Sequence, residues 1–477
     1  NSNGLYIMES EKGATSWAII SSPNLSYKKL YQFYYDSFVT LEVKDPISES
    51  TITLIHQDVR VTKGFDRHHV FNIISGQESK SATKETEKKK PIVLGSTLAL
   101  TKSIATMGSD VKSGLSLKEK LINQSGGING RGIEIIFEDD AYTPDIALKN
   151  VKKFIKDYST NIIITPVGTP TLEACLDLIK KQEILALFPI TGATIFREKN
   201  LTNIINYRPS YTQEVKTLLK YIVENTSSKR FAFFYQNDAY GLGPLETAKI
   251  TLSRMGITEW VDIPYTRNEF NIESAVTKIK ETKPDAIALF STGVATSELI
   301  RQLGSENLAN KILFTISFAA DNSFKTFARA KGMNIIFAHS VPNPEESDLP
   351  IVKEYREEIK KSGLSTSPFS LEGFIALSIF AEAVKNISGE ISSEKIIVVL
   401  ENIKDFNLGG IKLNFNPEKR ELSQTVWLDV GQPEWLKFDK SEVEFEPKIE
   451  LIKTRTKISE SIPELKNTLT TTVEKPQ

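Results

Sequence analysis

Cysteine is almost absent: Cys175 is the only one in 477 residues, so no intramolecular disulfide can form and a thiolate metal cluster is excluded. Its neighbours Leu172, Leu176 and Ile179 recur at helical spacing, which makes it a small core residue. An excess of charge is missing too. Lys and Arg total 59 against 60 Asp and Glu, a net charge of −1, whereas a nucleic-acid partner normally shows as a basic excess or patch. No apolar run approaches the roughly 18 residues of a membrane span. The chain opens at Asn1 without a signal-peptide pattern, which reads as a mature or trimmed form. There is no G-x-S-x-G elbow, no H-E-x-x-H, no Walker loop and no Cys and His pair at ligand spacing. An enzyme, a resident metal and a cofactor are therefore not expected.

What is present is the composition of a soluble globular protein, 40% apolar and 25% charged, with length for two or three domains. From Pro91 to Thr194, short apolar runs (92–95, 133–137, 162–166, 185–189) alternate with longer segments. In these, residues such as Leu148, Val151, Phe154 and Ile155 recur at helical spacing. Buried parallel strands read as continuous apolar runs and their crossover helices as amphipathic stripes, so this rhythm predicts repeated βα units. A second set follows from Asn203. It has strands over 230–238, 259–265, 286–292 and 311–317, a helix over 245–254, and at Pro284 a stop that turns Lys283 away from helical angles. The helix over 370–387 is apolar on nearly every face and is expected against a sheet. The stretch 409–430 reads as a hairpin-like ribbon.

The first 78 residues lack this rhythm. The β-prone pieces at 16–20, 38–43 and 51–61 suggest a small β-rich or α+β module, and His68 and His69, adjacent in sequence, would face opposite ways in a strand and not chelate together. Residues 79–90 (SKSATKETEKKK) carry charge and almost no apolar surface, the composition of a flexible linker. A polar, threonine-rich tail occupies 448–477.

Three segments in order, QSGGINGR (124–131), EDDAYTP (138–144) and FPITGAT (188–194), resemble the type I periplasmic solute-binding proteins, nearest to the receptors of branched-chain amino acid ABC transporters. The likeness runs from about Pro91 to Pro447. It implies two doubly wound α/β lobes, one from 91–209 and 339–409, the other from 210–338 and 410–447, with a ligand cleft between them. It also implies an extracytoplasmic location with an export signal or lipid anchor removed, a small-molecule ligand, and an ABC permease or a membrane sensor as partner. Family members often carry a disulfide near the first binding loop. Tyr142 and Gly168 stand at those positions here, so packing alone must hold the loop.

Ligands in open parallel sheets bind beyond the carboxyl ends of the strands. There, Thr169-Pro170-Thr171 opens a helix over 172–182: Thr169 suits the N-cap and Pro170 the first helical position, leaving backbone amides for a carboxylate. Pure capping is the competing reading. The resemblance assigns the Thr169 hydroxyl, with Thr171 beside it, to the ligand carboxylate. It assigns Gly192, Ala193 and Thr194 to a loop holding carboxylate and amine, although Ile190 and Thr191 lengthen that loop. Tyr240 in QNDAYGLG takes the place of a tyrosine that closes over the ligand, and Gly241 and Gly243 read as a tight strand-to-helix turn.

Met107 stands where the resembled family commonly carries an aromatic residue, and would give a looser apolar wall. By the same resemblance Ser317 falls near the position of the family's acid that pairs with the ligand's ammonium, and an unpaired buried ammonium is costly. Asp321 or Asp238 would have to substitute, or the ligand is a neutral or simply carboxylated compound. The acids Glu138, Asp139 and Asp140 read as solvated or capping groups. Two functions fit: a solute receptor, with a pocket lined by Thr169, Thr194 and Tyr240, or an interaction module such as a penicillin-binding-protein activator, with the cleft filled by its own side chains.

Overall fold

A computed structural model describes residues 89–269 and 271–439, together with the backbone of five strands between Gly4 and His56. The chain divides into two compact units, 1–87 and 88–477. In the first, β1 (Gly4–Glu9), β2 (Thr15–Ser21) and β3 (Lys29–Tyr34) form an antiparallel sheet, and β4 (Val39–Lys44) pairs antiparallel with β5 (Thr51–His56). The β-prone pieces expected from sequence fall on β2, β4 and β5. His68, His69, residues 79–88 of the linker and the tail 448–477 lie outside the described residues.

In the second unit the βα rhythm resolves into two sheets. The first has the order β10-β9-β8-β6-β7, built from β6 (Ile92–Leu98), β7 (Ile133–Asp139), β8 (Ile162–Ile164), β9 (Leu185–Leu187) and β10 (Ile204–Ile205), all parallel. Its connecting helices are α1 (Ala105–Gln124), α2 (Pro144–Tyr158), and the short α3 (Thr169–Glu173) and α4 (Leu176–Lys180). The last two correct the single helix expected over 172–182: the chain breaks at Ala174 and Cys175. Cys175 is buried and unpaired, and burial pushes its thiol up to about 12, which leaves it inert.

The second sheet has the order β12-β11-β13-β14-β15-β18-β19. After α5 (Tyr211–Asn225) come β11 (Arg230–Gln236), α6 (Ala239–Arg254), β12 (Glu259–Tyr265), α7 (Glu273–Thr282), β13 (Ala286–Phe290), α8 (Gly293–Leu303), α9 (Ser305–Leu308), β14 (Ile312–Thr315), α10 (Asn322–Ala330) and β15 (Ile335–His339). In both sheets the first strand lies between the second and the third. Strand order therefore reverses beside β6 in one lobe and beside β11 in the other, and the loops leaving those strands splay apart to open a crevice. Both crevices open toward the junction of the lobes.

The rest of the chain adds α11 (Pro350–Lys361), α12 (Pro368–Lys385), α13 (Ser393–Glu401), β16 (Phe406–Leu408), β17 (Ile411–Leu413), β18 (Val426–Asp429) and β19 (Leu436–Phe438). The ribbon expected over 409–430 is not one hairpin. β17 pairs with β16, while β18 crosses to the second sheet and runs antiparallel to β15. Helix α12 is buried on nearly every face, and its main neighbour is α1, not a sheet. Gly114 and Gly373 permit this approach: a Cβ on Gly114 would stand 1.8 Å from the Ser370 carbonyl oxygen, and one on Gly373 2.6 Å from that of Val111.

Gly114→Ala should cost about 1–3 kcal/mol, the usual range for overpacking a core. The check is the midpoint of urea unfolding, and an unshifted midpoint would mean that the α1–α12 crossing yields to a methyl group without strain.

Candidate ligand cleft

The chain passes between the lobes three times, and buried polar groups bind these passages together. After β10, Asn206 N–H donates to the Arg420 carbonyl at 2.8 Å, and Leu422 N–H donates back to Asn206 at 2.9 Å. Arg197 pairs with Glu421, both side chains buried. Arg208 is wholly buried; its Nε and Nη2 donate to the two oxygens of Glu372 at 2.8 and 2.6 Å, while Ser340 on the second passage donates to Glu372 at 2.9 Å. The remaining Arg208 Nη1 donates to Ser317 Oγ at 3.2 Å. Ser317 in turn gives its N–H and its hydroxyl to the Glu214 carboxylate at 2.7 and 2.8 Å.

This chain of contacts changes the meaning of Ser317. The carboxylate beside Ser317 comes from a neighbouring element, Glu214, the fourth residue of α5. Burial raises the Glu214 carboxyl to about 7, against the opposing pull of Arg208 and the hydrogen bonds from Ser317. The sequence reading missed Arg208, Glu214 and Glu372. A signal was available for one of them: an acid inside a helix apolar on every face must find a partner.

The lobe-1 face of the cleft is a pair of hydroxyls. Thr169 Oγ1 and Thr191 Oγ1 lie 2.7 Å apart, both residues fully buried, and Ala193 N–H donates to Thr191 Oγ1 at 3.2 Å. Thr169 is the first residue of α3 and Gly168 its N-cap, which corrects the capping expectation. Of this loop's two threonines, it is Thr191 and not Thr194 that meets Thr169. Thr194 is exposed instead, at the mouth of a cavity that it lines with Ala193, Ile195 and Tyr211. Gly192 lets Tyr211 close in: its carbonyl accepts from Tyr211 N–H at 2.7 Å, and a Cβ there would lie 2.5 Å from the ring. Tyr211 is 1% exposed, and its hydroxyl lies close enough to Thr191 to be drawn toward it but outside good hydrogen-bond geometry. Thr171 turns its hydroxyl back to the Val167 and Gly168 carbonyls and away from the cleft.

On the lobe-2 face Tyr240 is fully buried, with its hydroxyl donating to the Ser291 carbonyl at 3.1 Å. Its ring, rather than its hydroxyl, is what the site can use, packed 4.7 Å from Phe318 and 5.8 Å from Tyr211 between centroids. Gly241 and Gly243 lie within α6 and not in a turn. Gly241 is required because a Cβ would stand 2.2 Å from the Gln236 carbonyl oxygen. Asp238 caps α6 by accepting from Tyr240 N–H, and Asp321 caps α10 by accepting from Phe324 N–H, both at 3.0 Å. Met107 is core, 2% exposed on α1. Thr169, Gly192, Tyr240 and Ser317 thus gather about the lobe junction, while Thr171, Asp321 and Met107 serve their own elements.

The loop after β7 is fixed by its own acids, which are structural acceptors and not solvated groups. Asp139 accepts from Leu100, Thr101 and Ala141, and buried Asp140 accepts from Thr97 and from Tyr142 N–H at 2.8 Å each. These bonds hold Ala141 and Tyr142 at φ of 49° and 56°, a conformation rarely adopted by bulky residues. The Tyr142 ring then covers Gly168, where a Cβ would meet it at 2.6 Å. Packing holds this loop at the two positions that the resemblance assigned to a disulfide. The same ring reaches lobe 2, where Gln236 Nε2 donates to its hydroxyl at 3.2 Å and Phe318 lies 6.1 Å away.

A family profile described as periplasmic binding protein matches residues 91–429, and the chain belongs to that family, with the type I fold. Its relatives include the Leu/Ile/Val-binding protein homolog 3 of Brucella melitensis, 20% identical over 316 residues that span 66% of this chain and 84% of the relative. The amino acid binding protein of Pseudomonas aeruginosa is 20% identical over 61% of this chain and 78% of its own. Among solved structures, a possible leucine/isoleucine/valine-binding protein from Rhodopirellula baltica superposes with a TM-score of 0.69 at 25% identity, over 75% of this chain and 99% of its own. The resemblance read from the glycine turn and its companions is borne out. The family is one of extracytoplasmic binding proteins, not enzymes, and no helix among the described residues is long and apolar enough to cross a membrane.

The Glu214 carboxyl gives a pH prediction. Its folded value lies above the ordinary 4.5, so between about 4.5 and about 7 the folded state holds a proton that the unfolded state has released. Stability contributed by this group is complete below that window and falls as pH rises through it. Between about pH 5 and about pH 7.5 the wild type should lose on the order of 2 kcal/mol more than Glu214→Gln, read by urea unfolding. Parallel curves for the two proteins would refute the assignment.

Proposed function

We propose that this protein captures a small amino-acid-like or carboxylated solute between its two lobes and presents the closed form to an ABC permease. The observation that carries this reading is the buried Thr169–Thr191 hydroxyl pair with the unpartnered hydroxyl of Tyr211 beside it, at the strand ends of lobe 1. A buried hydroxyl without a partner costs about 1–3 kcal/mol, a penalty that a polar ligand group would remove. The printed names of the relatives, binding proteins for amino acids, support the solute class.

Recognition would rest on hydroxyls and backbone groups, since Arg208 and Arg197 are each taken up by a carboxylate. With Glu214 held against Ser317, a ligand ammonium has an acid nearby, and α-amino acids belong among the candidates alongside simple carboxylates. Closure follows as a population shift: the solute favours the closed state by the contacts it makes only there. The interaction-module reading draws on one observation, that Tyr142, Tyr240 and Phe318 bury one another in the middle of the cleft.

A thermal-shift screen against amino acids, short-chain and aromatic carboxylates, amides and sugars separates the two. A ligand at a hundredfold excess over its dissociation constant adds about 2.7 kcal/mol, and Thr169→Ala should abolish the shift. Silence across the panel from well-folded protein would favour the interaction module.

A further inference from the structure

Resting on the hinged-lobe reading, we propose that closing the cleft takes up a proton at two carboxyl groups that meet across its mouth, Asp110 of the first lobe and Asp321 of the second. Acid then favours the closed form.

Hydrogen bonds that cross between the lobes bring these two groups together. Thr106, one turn before Asp110 on α1, bonds to Ser323, two residues after Asp321, at 3.2 Å. Beside this contact Asn322 Nδ2 donates to the Thr366 carbonyl at 2.7 Å, and the hydroxyl of the next residue, Ser367, lies toward Asp110. Asp110 Oδ2 is shut off from solvent without a hydrogen-bond partner. Asp321 spends Oδ1 on the cap of α10. Its Oδ2 is hemmed in by Gly293, the first residue of α8, where an added Cβ would lie 2.5 Å away. Lys325, one turn further along α10, pairs with Asp429 at 2.7 Å and not with Asp321. The titratable groups that face Asp110 are Asp321 and the Tyr355 hydroxyl on α11, which burial pushes up to about 12 and keeps neutral.

Two carboxylates that share a water-poor site disfavour each other's charge. Burial raises the Asp110 carboxyl to about 6, the Ser367 hydroxyl pulls it down, and the charge of Asp321 raises it again; burial raises Asp321 as well. Parting the lobes separates the pair and returns both groups to water, where an aspartate titrates near about 4. Between about pH 4 and about pH 6 the closed form therefore holds a proton that the open form has released, and linkage makes acid close the cleft.

Single-molecule energy transfer on the full chain, stripped of solute by partial unfolding and refolded, reads the open and closed populations. Dyes at Lys120→Cys on α1 and Arg329→Cys on α10 stand on exposed positions in opposite lobes, and Cys175 is buried away from labelling. From about pH 7.5 to about pH 5 the ratio of closed to open should rise about tenfold. Asp110→Asn should favour the closed form at both pH values and flatten the rise, as should Asp321→Asn, which keeps a good helix cap. Comparing wild type with Asp110→Asn separates this pair from other groups that titrate in the range, Glu214 among them. Two populations whose ratio ignores pH, a rise that survives in Asp110→Asn, or an open form alone in both proteins would overturn the inference and leave the receptor reading standing. One closed population in every protein at every pH would sink both.

Discussion

The ion pair between Arg208 and Glu372 is the contact on which the arrangement of the lobes depends. Arg208 sits on the first passage between the lobes, Glu372 projects from the most buried helix of the first lobe, and Ser340 on the second passage completes the carboxylate's bonding. Removing one partner of such a buried pair typically costs about 3–5 kcal/mol, because the other charge is left without compensation. Through Ser317 the same guanidinium reaches the second lobe and Glu214. Any opening of the cleft must therefore pivot about this cluster or break it, which confines motion to the lobes and spares the passages.

That constraint shapes the site's chemistry. The two fully buried guanidinium groups at the lobe junction, Arg197 and Arg208, are paired with carboxylates and are not left over for a ligand's carboxylate; a third, Arg267, lies over the Tyr142 ring with its Nε 3.8 Å from Asp238 and its Nη1 without a partner. On the proposed reading, recognition rests mainly on hydroxyls and backbone amides, whose strength comes from exclusion of water. The Asp139 and Asp140 acceptors do related work in the loop after β7. By fixing Tyr142 in a left-handed conformation they press its ring over Gly168 and hold without sulfur a loop that also touches the second lobe.

The sheets were legible because buried parallel strands announce themselves as apolar runs, and the order of the glycine, acid and threonine motifs identified the family. Less could be read of the site. Thr169 and Tyr240 were placed at the junction, but not which atoms remain free: the Tyr240 hydroxyl is spent on Ser291, while that of Tyr211, an unremarked residue after a capping serine, is not. That Thr191 and not Thr194 meets Thr169 follows from two extra loop residues whose path no sequence pattern fixes. Glu214 was invisible because it acts through Ser317, across 103 positions of chain, and long-range pairings of this kind carry no local signal.

The most direct test of a hinged, solute-closing cleft is a distance across its mouth. Thr106 and Ser323 are exposed and hydrogen-bonded to each other from opposite lobes at 3.2 Å. Spin labels at these two positions can be followed by pulsed electron resonance in protein stripped of solute by partial unfolding, and again after adding the low-molecular-weight fraction of a cell extract. Long, broad separations in the stripped protein that collapse to one short separation with the extract are the predicted result. A single short separation under both conditions would contradict it and leave a rigid, permanently closed scaffold.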